Sequence, residues 1–320
     1  MGTCSKSIGT YFSGAIFASL FVLSDCGGGG GASPSLPAQP SQVQNPGQPA
    51  APSGNSAVRI YATSAVTNQV NVYDEQGHPI TTACNFTGLS TSYGIAYDPY
   101  NRALYIAGTP IKVFDLEGNP IKTTGSFPNG GLLAAFDTNN RHLYTLTLET
   151  FEPIAVYDEQ GNPITLAGKN PFGSIIVPSD IVYDPFNRRF YVPNENGPVS
   201  VFDEQGNQIP FPRVNVCGGA NRLAFDPHNR HFYLSSDFTA CGNPDISVFD
   251  ESGNAVTVRG TFPNANAEAM TFDPNNNHLY VQNFGTVFRT VTVYDEQGNQ
   301  IVTTGSWSGI EGEGMVAAPQ

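Results

Sequence analysis

The sequence predicts an all-β protein: a six-bladed β-propeller of four-stranded antiparallel blades, closed by pairing of the C-terminal strand with the N-terminal strands. Three observations predict this fold. A unit of about 45 residues recurs along the chain, apolar residues alternate at a period of two within it, and incomplete units at the two ends complete each other. This repeat length and strand pattern are typical of one propeller blade.

The N-terminal segment predicts export. Lys6 precedes an apolar run over residues 11–23, which fits the hydrophobic region of a secretory signal and is short for a membrane span. The run ends shortly before Cys26 and five glycines. This pattern resembles a bacterial lipoprotein signal, which implies removal of residues 1–25 and lipidation of Cys26. The alternatives are an ordinary signal peptide and an uncleaved anchor, with Cys26 incidental.

Residues 26–57 predict a flexible tether. After Cys26 they are mainly Gly, Pro, Ser, Gln and Ala and include no charged residue, so they cannot bury a core. Gly27 resembles the default signal for sorting to the outer membrane. We therefore expect an exported protein that its lipid anchor attaches to the cell envelope, at the outer membrane. The net charge of −13 disfavours a nucleic-acid partner, and we expect a monomer.

The propeller is expected to occupy residues 58–320, where two motifs alternate. In the first motif, alternating β-branched residues and an aromatic residue lead to Asp-Glu-x-Gly-Asn or a close variant. This pattern predicts a third strand, a hairpin turn and a fourth strand, as at residues 120–124. The hairpin aspartates, 41 to 47 residues apart, are Asp74, Asp115, Asp158, Asp203, Asp250 and Asp295.

The second motif predicts the first and second strands of each blade. An aromatic residue and Asp are followed by a turn rich in Pro and Asn, and a tyrosine stands seven residues after the Asp. The aspartates of this motif are Asp98, Asp137, Asp184, Asp226 and Asp273. Residues 58–61 begin at a second strand, and residues 314–319 align with the first strand at 94–99. The two ends together therefore predict the closing blade.

Residues 94–99, 104–107 and 112–115 resemble the NHL-repeat and YVTN-type surface repeats of six-bladed propellers. The resemblance extends over residues 58–320. It implies the architecture and leaves the function open, because such propellers include binding modules, scaffolds, lactonases and lyases. Peptide-amidating lyases of the NHL type need histidine metal ligands in the channel, whereas the five histidines of this chain all fall in the repeated turns.

Strand direction places both kinds of turn on one face of the propeller, which we call the turn face. Loops of variable length lie on the opposite face, the loop face, where binding is expected. The hairpin aspartates are expected to accept hydrogen bonds from amides of their own turns, with calcium sites as the alternative. Ion pairs with these acidic hairpins are expected for the turn arginines Arg102, Arg141, Arg188 and Arg230.

The candidate ligand-binding residues lie where the first strands enter the channel from the loop face. They are Asp180, Asn221, Arg222, Glu268, Glu313 and Trp307. Among them, Asp180, Asn221, Glu268 and Glu313 resemble the Glu, Asn and Asp set of gluconolactonase-like propellers. That resemblance implies one divalent cation such as Ca²⁺ and lactone or ester hydrolysis. The favoured interpretation is a solvated polar channel mouth without a metal or cofactor.

Two further patterns concern the loops. Phe86, Phe127, Phe262 and Trp307 each stand 12 residues after a hairpin aspartate. Packing between blades is favoured for these rings over an exposed ring for carbohydrate or peptide binding, with Trp307 as the position to test. A disulfide is predicted between Cys217 and Cys241, which are expected close together on the loop face; two free thiols are the alternative.

These observations favour a non-catalytic binding or protein-interaction module over an enzyme. The expected ligand is a protein, peptide or glycan that the sequence does not specify. The alternative function is the metal-dependent lactone or ester hydrolase at the channel mouth.

Overall fold

The computed structural model describes residues 57–89, 94–147, 153–173, 175, 177–195, 197–212, 214, 219–236, 246–263, 265–284, 290–310, 312 and 314–320. The regular elements within these ranges are all β-strands. In this part of the chain no helix is long and apolar enough to cross a membrane.

The described residues form twenty strands in six antiparallel sheets, which we number in chain order. Sheet 1 contains β1 (Val58–Ser64), β2 (Gln69–Tyr73) and β20 (Met315–Pro319); sheet 2 contains β3 (Ile95–Asp98), β4 (Ala103–Ile106) and β5 (Lys112–Asp115). Sheet 3 contains β6 (Leu133–Asp137), β7 (His142–Leu146) and β8 (Ile154–Asp158); sheet 4 contains β9 (Val182–Asp184), β10 (Arg189–Val192), β11 (Ser200–Asp203) and β12 (Gln208–Ile209). Sheet 5 contains β13 (Ala220–Asp226), β14 (His231–Ser236) and β15 (Ile246–Asp250); sheet 6 contains β16 (Ala267–Asp273), β17 (His278–Asn283), β18 (Thr290–Asp295) and β19 (Gln300–Ile301).

The two ends of the described chain pair with each other, as the sequence predicts. Strand β20 lies antiparallel to β1, with Ile60 opposite Ala317 and Ala62 opposite Met315. The Thr63 amide donates to the Gly314 carbonyl at 3.0 Å. Strand β20 therefore takes, in sheet 1, the position that the first strand takes in the other sheets.

The fourth strands are shorter than predicted. Sheets 4 and 6 have fourth strands of two residues, and the other four sheets have one isolated bridge at that position. The predicted strand at residues 120–124 is reduced to a bridge between Phe114 and Pro120. Proline lacks an amide hydrogen, so it cannot extend the ladder. Pro79 and Pro163 occupy the equivalent bridges in sheets 1 and 3.

The first strands of the six sheets contact one another in succession. Strand β3 contacts β6, then β6 contacts β9, β9 contacts β13, β13 contacts β16, β16 contacts β20, and β20 contacts β3. They surround a cavity of about 340 Å³. Because the first strands are innermost, the short fourth strands form the outer edges.

Buried tyrosines of the second strands connect each sheet to the next. Their rings are fully buried, and a buried phenol needs a hydrogen-bond partner. The Tyr144 hydroxyl donates to the Glu204 carbonyl at 3.1 Å, and Tyr191 donates to the Glu251 carbonyl at 3.1 Å. Equivalent bonds to the hairpin of the following sheet are made by Tyr61, Tyr105 and Tyr233.

A second repeated contact packs an aromatic ring against the hairpin glycine of the next sheet. These glycines have φ between 77° and 85° and no side chain, so the ring lies directly on the backbone. The pairs are Phe86 and Gly118, Phe127 and Gly161, Phe172 and Gly206, Phe211 and Gly253, Phe262 and Gly298, and Trp307 and Gly77. The last pair joins sheet 6 to sheet 1.

Replacing these glycines by alanine should destabilise the protein more than the backbone conformation alone explains. In Gly88→Ala the new methyl group meets no atom within 4 Å, so the change costs only the left-handed φ of 74°, about 1 kcal/mol. In Gly161→Ala it would lie 2.6 Å from Phe127, and in Gly77→Ala it would overlap Trp307. We expect both to lose about 1–3 kcal/mol more than Gly88→Ala in urea unfolding. A Gly77→Ala variant as stable as Gly88→Ala would contradict the contact between sheets 6 and 1.

Candidate functional site

The cavity between the first strands has a mostly apolar wall. Each of the six sheets contributes an aliphatic or Met side chain from its first strand or the residue before it. These are Ile95, Leu133, Ile181, Leu223, Met270 and Met315. Asp180 is the acidic residue that lines the cavity among the described residues. The polar groups at the loop-face end therefore decide what chemistry this channel can perform.

The carboxylate of Asp180 is held by backbone amides. Its Oδ1 accepts a hydrogen bond from the Ile181 amide at 2.8 Å, and its Oδ2 accepts one from the Leu223 amide at 2.9 Å. The second bond ties sheet 4 to sheet 5. Both oxygens of a predicted metal ligand are thus already engaged in joining two first strands.

Arg222 connects three sheets at the same end of the channel. Its side chain starts from β13 in sheet 5 and is only 8% exposed. Its Nε donates to the Glu268 carbonyl at 2.6 Å in sheet 6, and its Nη1 donates to the Ser179 carbonyl beside sheet 4. A fixed guanidinium disfavours a second cation nearby through Coulomb repulsion. Arg222 is therefore placed to hold the strands and to attract anionic groups.

The remaining channel-mouth residues are placed around this arginine. Asn221 donates from Nδ2 to the Ala267 carbonyl at 3.2 Å, and Glu268 accepts a hydrogen bond from Gln282 at 3.4 Å. Glu313 lies outside the described residues. The structure therefore brings Asp180, Asn221, Arg222 and Glu268 to one end of three neighbouring first strands, and their binding of a ligand or a cation stays a prediction.

Trp307 is not exposed, which corrects its assignment as a ligand-binding residue. Its side chain is 3% exposed and packs against Tyr73 and Tyr280, with ring centroids 5.3 and 5.7 Å away. Its Nε1 donates to Thr303 at 3.1 Å. The other rings at this repeat position are also buried, so the pattern reflects packing between sheets. Tryptophan occurs here because it fills the junction between sheets 6 and 1.

The cysteine predictions fall largely outside the described residues. Cys217 and Cys241 both lie there, so their disulfide stays a prediction, as does lipidation of Cys26. Cys84 is buried and disulfide-bonded, a bond that the predicted Cys217–Cys241 pair does not account for.

On the turn face, the hairpin aspartates hold their own turns, as predicted. In each of the six hairpins the Asp Oδ1 accepts the amides two and four residues later at 2.8–2.9 Å. At Asp158, burial raises the pKa, but bonds from the side chain and amide of Asn162 outweigh it and hold the pKa below its usual value. The Asp158 carboxylate is therefore an ionised group that holds its turn.

The burial of a second set of acids on the turn face was not predicted from the sequence. The aspartates that end the first strands are fully buried, and burial raises the pKa of Asp184 to about 7; the next cause is a hydrogen bond that protonated Asp184 donates to Glu251. The signal that could have found this pair is the sheet order. It places the aspartate of one sheet beside the hairpin glutamate of the next.

We expect Asp184→Asn to change how stability depends on pH. A carboxyl whose pKa rises from 3.8 in the unfolded chain to about 7 in the folded protein favours folding while protonated. Wild-type stability is therefore lost as pH rises from about 4 to about 7. The neutral amide removes this loss, so the variant should gain about 1 kcal/mol or more relative to wild type across that range.

The matched control is Asp158→Asn, whose carboxylate has a lowered pKa. This variant should lose stability relative to wild type as pH rises through the acidic range, which is the opposite sign. Urea unfolding between about pH 2 and pH 8 measures both, because the Asp158 carboxyl titrates below its usual pKa. A pH-independent difference between Asp184→Asn and wild type would contradict the assignment.

Comparison with known proteins gives the fold and no family. No family model and no curated protein sequence matches the chain. Among solved structures, a nidogen/laminin complex is similar with a TM-score of 0.61 and 15% identity, over 82% of this chain and 98% of that one. TolB from Acinetobacter baumannii is similar with a TM-score of 0.57 and 14% identity, over 83% of this chain and 67% of that one. Both are β-propeller folds, and the similarity identifies this chain as propeller-like in fold.

Proposed function

We propose that this chain is a six-bladed β-propeller, of the NHL-repeat and YVTN type, that acts as a non-catalytic protein-interaction module. Each sheet is one blade, and the ring closes where β20 pairs with β1 and Trp307 packs on Gly77. The succession of first-strand contacts and the repeated ring-on-glycine packing support the blade count.

The hydrogen bonds of the polar groups at the channel mouth support the non-catalytic assignment. Both Asp180 oxygens accept backbone amides, and Arg222 donates to two backbone carbonyls. Groups that are committed to holding strands are poorly placed to activate water or to bind a catalytic cation. This observation favours a binding module over the lactone or ester hydrolase.

The loop face supplies a surface for a protein partner. Val66 is 72% exposed in the loop between β1 and β2, and Phe284 is 52% exposed just after β17. These two positions belong to sheets 1 and 6, whose first-position strands β20 and β16 are in contact. Exposed apolar side chains on variable loops of a rigid scaffold suit protein recognition.

The N-terminal segment gives the proposed location. Acylated Cys26 anchors the exported monomer to the outer membrane, and residues 27–57 form a tether that lets the loop face meet a partner in the cell envelope. Two or more acyl chains make such attachment stable.

A photo-crosslinking experiment tests the interaction surface. A photoreactive amino acid placed at Val66 or Phe284 in cells should give discrete protein adducts, because the partner covers the loop face. The control position is Val302, which is 86% exposed on the outer edge and should give none. Equal labelling at positions 66 and 302, or no adduct at either loop position, would contradict the proposal.

Metabolic labelling with an alkyne fatty acid tests the anchor. We expect wild type to be labelled and to sediment with membranes, because acylation supplies its membrane attachment. Cys26→Ala should lose the label and be found in the soluble fraction, whereas Cys84→Ala should keep the label. Labelling that survives Cys26→Ala would refute the anchor and leave the propeller assignment untouched.

A further inference from the structure

Neighbouring sheets are joined on the turn face by a repeated cation. Between sheets 4 and 5, Arg230 pairs with the hairpin glutamate Glu251 and stacks on Phe186, with its guanidinium carbon 5.2 Å from the ring centroid. Phe186 stands two residues after the buried Asp184. Each such junction therefore combines a buried aspartate, a residue two positions later, an arginine and a glutamate.

The same arrangement recurs between sheets 2 and 3. Arg141 pairs with Glu159 at 2.6 Å and lies 5.1 Å from the ring centroid of Tyr100, two residues after Asp98. Between sheets 3 and 4, Arg188 pairs with Glu204 at 2.6 Å. The arginines hold a left-handed φ near 60°, which is uncommon for this residue type. Their side chains, rather than backbone preference, explain their use at this position.

The junction between sheets 5 and 6 departs from this pattern at two positions. Asn277 stands where the other turns have arginine, with the same left-handed φ of 60°. His228 stands where Tyr100 and Phe186 stand elsewhere. No described lysine or arginine pairs with Glu296, the hairpin glutamate of this junction. The guanidinium is therefore missing from a place that keeps its acidic partners.

Three potential ligand atoms converge at this junction. A carboxylate oxygen of Asp226, a ring nitrogen of His228 and a carboxylate oxygen of Glu296 lie within 4.8 Å of one another. Two ligand atoms of a tetrahedral zinc ion, each about 2.0–2.1 Å from the metal, are about 3.4 Å apart. His228 is exposed and Glu296 is partly exposed, so small side-chain rotations can close this gap.

The buried carboxylate of Asp226 has an oxygen without a hydrogen-bond partner, a feature that it shares with Asp184 and Asp273. Asp226 is 0% exposed, its Oδ1 accepts the His228 amide at 2.8 Å, and its Oδ2 has no hydrogen-bond partner. A buried, unpaired carboxylate oxygen is costly unless a cation or a donor satisfies it. No described lysine or arginine pairs with the acids of this junction, and the side chains near Asp226 include His228 and His231.

We propose that Asp226, His228 and Glu296 bind a divalent transition-metal ion, which takes the structural place of the guanidinium found at the three junctions that connect sheets 2, 3, 4 and 5. His228 Nδ1 lies 2.7 Å from Asn277 Oδ1. When Nδ1 donates its proton to that oxygen, Nε2 keeps the lone pair that a metal needs, and the ring is held in position. Asn277 thus replaces the arginine and also orients the metal ligand.

The ligand set favours zinc or a similar ion over calcium. Imidazole suits Zn²⁺ and its neighbours, whereas Ca²⁺ takes six to eight oxygen ligands. Three protein ligands leave a fourth position for water. The ion would connect β13 and its turn in sheet 5 to the hairpin of sheet 6.

The test is zinc binding by the purified, tag-free full chain, measured in competition with a chromophoric chelator. We expect one Zn²⁺ per chain that depends on this junction. Binding should weaken by about tenfold or more in His228→Ala and Glu296→Gln, which each remove a ligand. Asn277→Arg should also abolish it, because a guanidinium returns to the site. This variant should fold, since four other turns carry arginine at the same φ.

The matched control is Glu251→Gln, at the junction where Arg230 already provides the cation. Its zinc affinity should equal that of wild type. Zinc should also raise the thermal midpoint of wild type but not that of His228→Ala. Absence of zinc binding by folded wild type would overturn the proposal. Equal binding by wild type and all three site variants would overturn it too, because the metal would then lie elsewhere.

Discussion

The structure depends on packing between sheets, because no single sheet of three or four short strands can bury both of its faces. Aromatic rings supply most of this packing, and they need bare backbone to lie on. The hairpin glycines provide it with a conformation that other residues adopt at a cost. One residue type therefore makes the tight hairpin possible and also forms half of the contact between neighbours. The junction of Trp307 with Gly77 uses the same contact to join the last sheet to the first.

The repeat made most of the architecture predictable from sequence. Period-two alternation, the hairpin aspartates and the half-units at the ends gave the strand order and the pairing of β20 with β1. The fourth strands were overestimated because Pro120 was counted as the first residue of a strand, although Pro79, Pro120 and Pro163 all lack the amide donor that a ladder needs. Burial of Trp307 was left open for a related reason, since spacing alone does not show which side of a loop a ring packs on.

The candidate site was less predictable, because its chemistry depends on which hydrogen-bond donors and acceptors pair with each other. The sequence predicted the place of four residues at the channel mouth, namely Asp180, Asn221, Arg222 and Glu268. It could not show that the Asp180 carboxylate and the Arg222 guanidinium form hydrogen bonds with backbone groups. Conversely, the turn face was interpreted as purely structural, although the change from arginine to Asn277 was visible in the aligned repeats. Departures from a repeat are thus more informative about chemistry than the repeat itself.

The proline-bearing outer bridges have a consequence for contacts between copies of this protein. An exposed sheet edge with free amide donors can recruit a strand from another molecule. Here the outermost segments are one or two residues long, and three of them present an imino nitrogen in place of a donor. Copies of this protein that lie side by side therefore have little backbone with which to extend one another's sheets. Such a surface can be kept at high density without strand exchange.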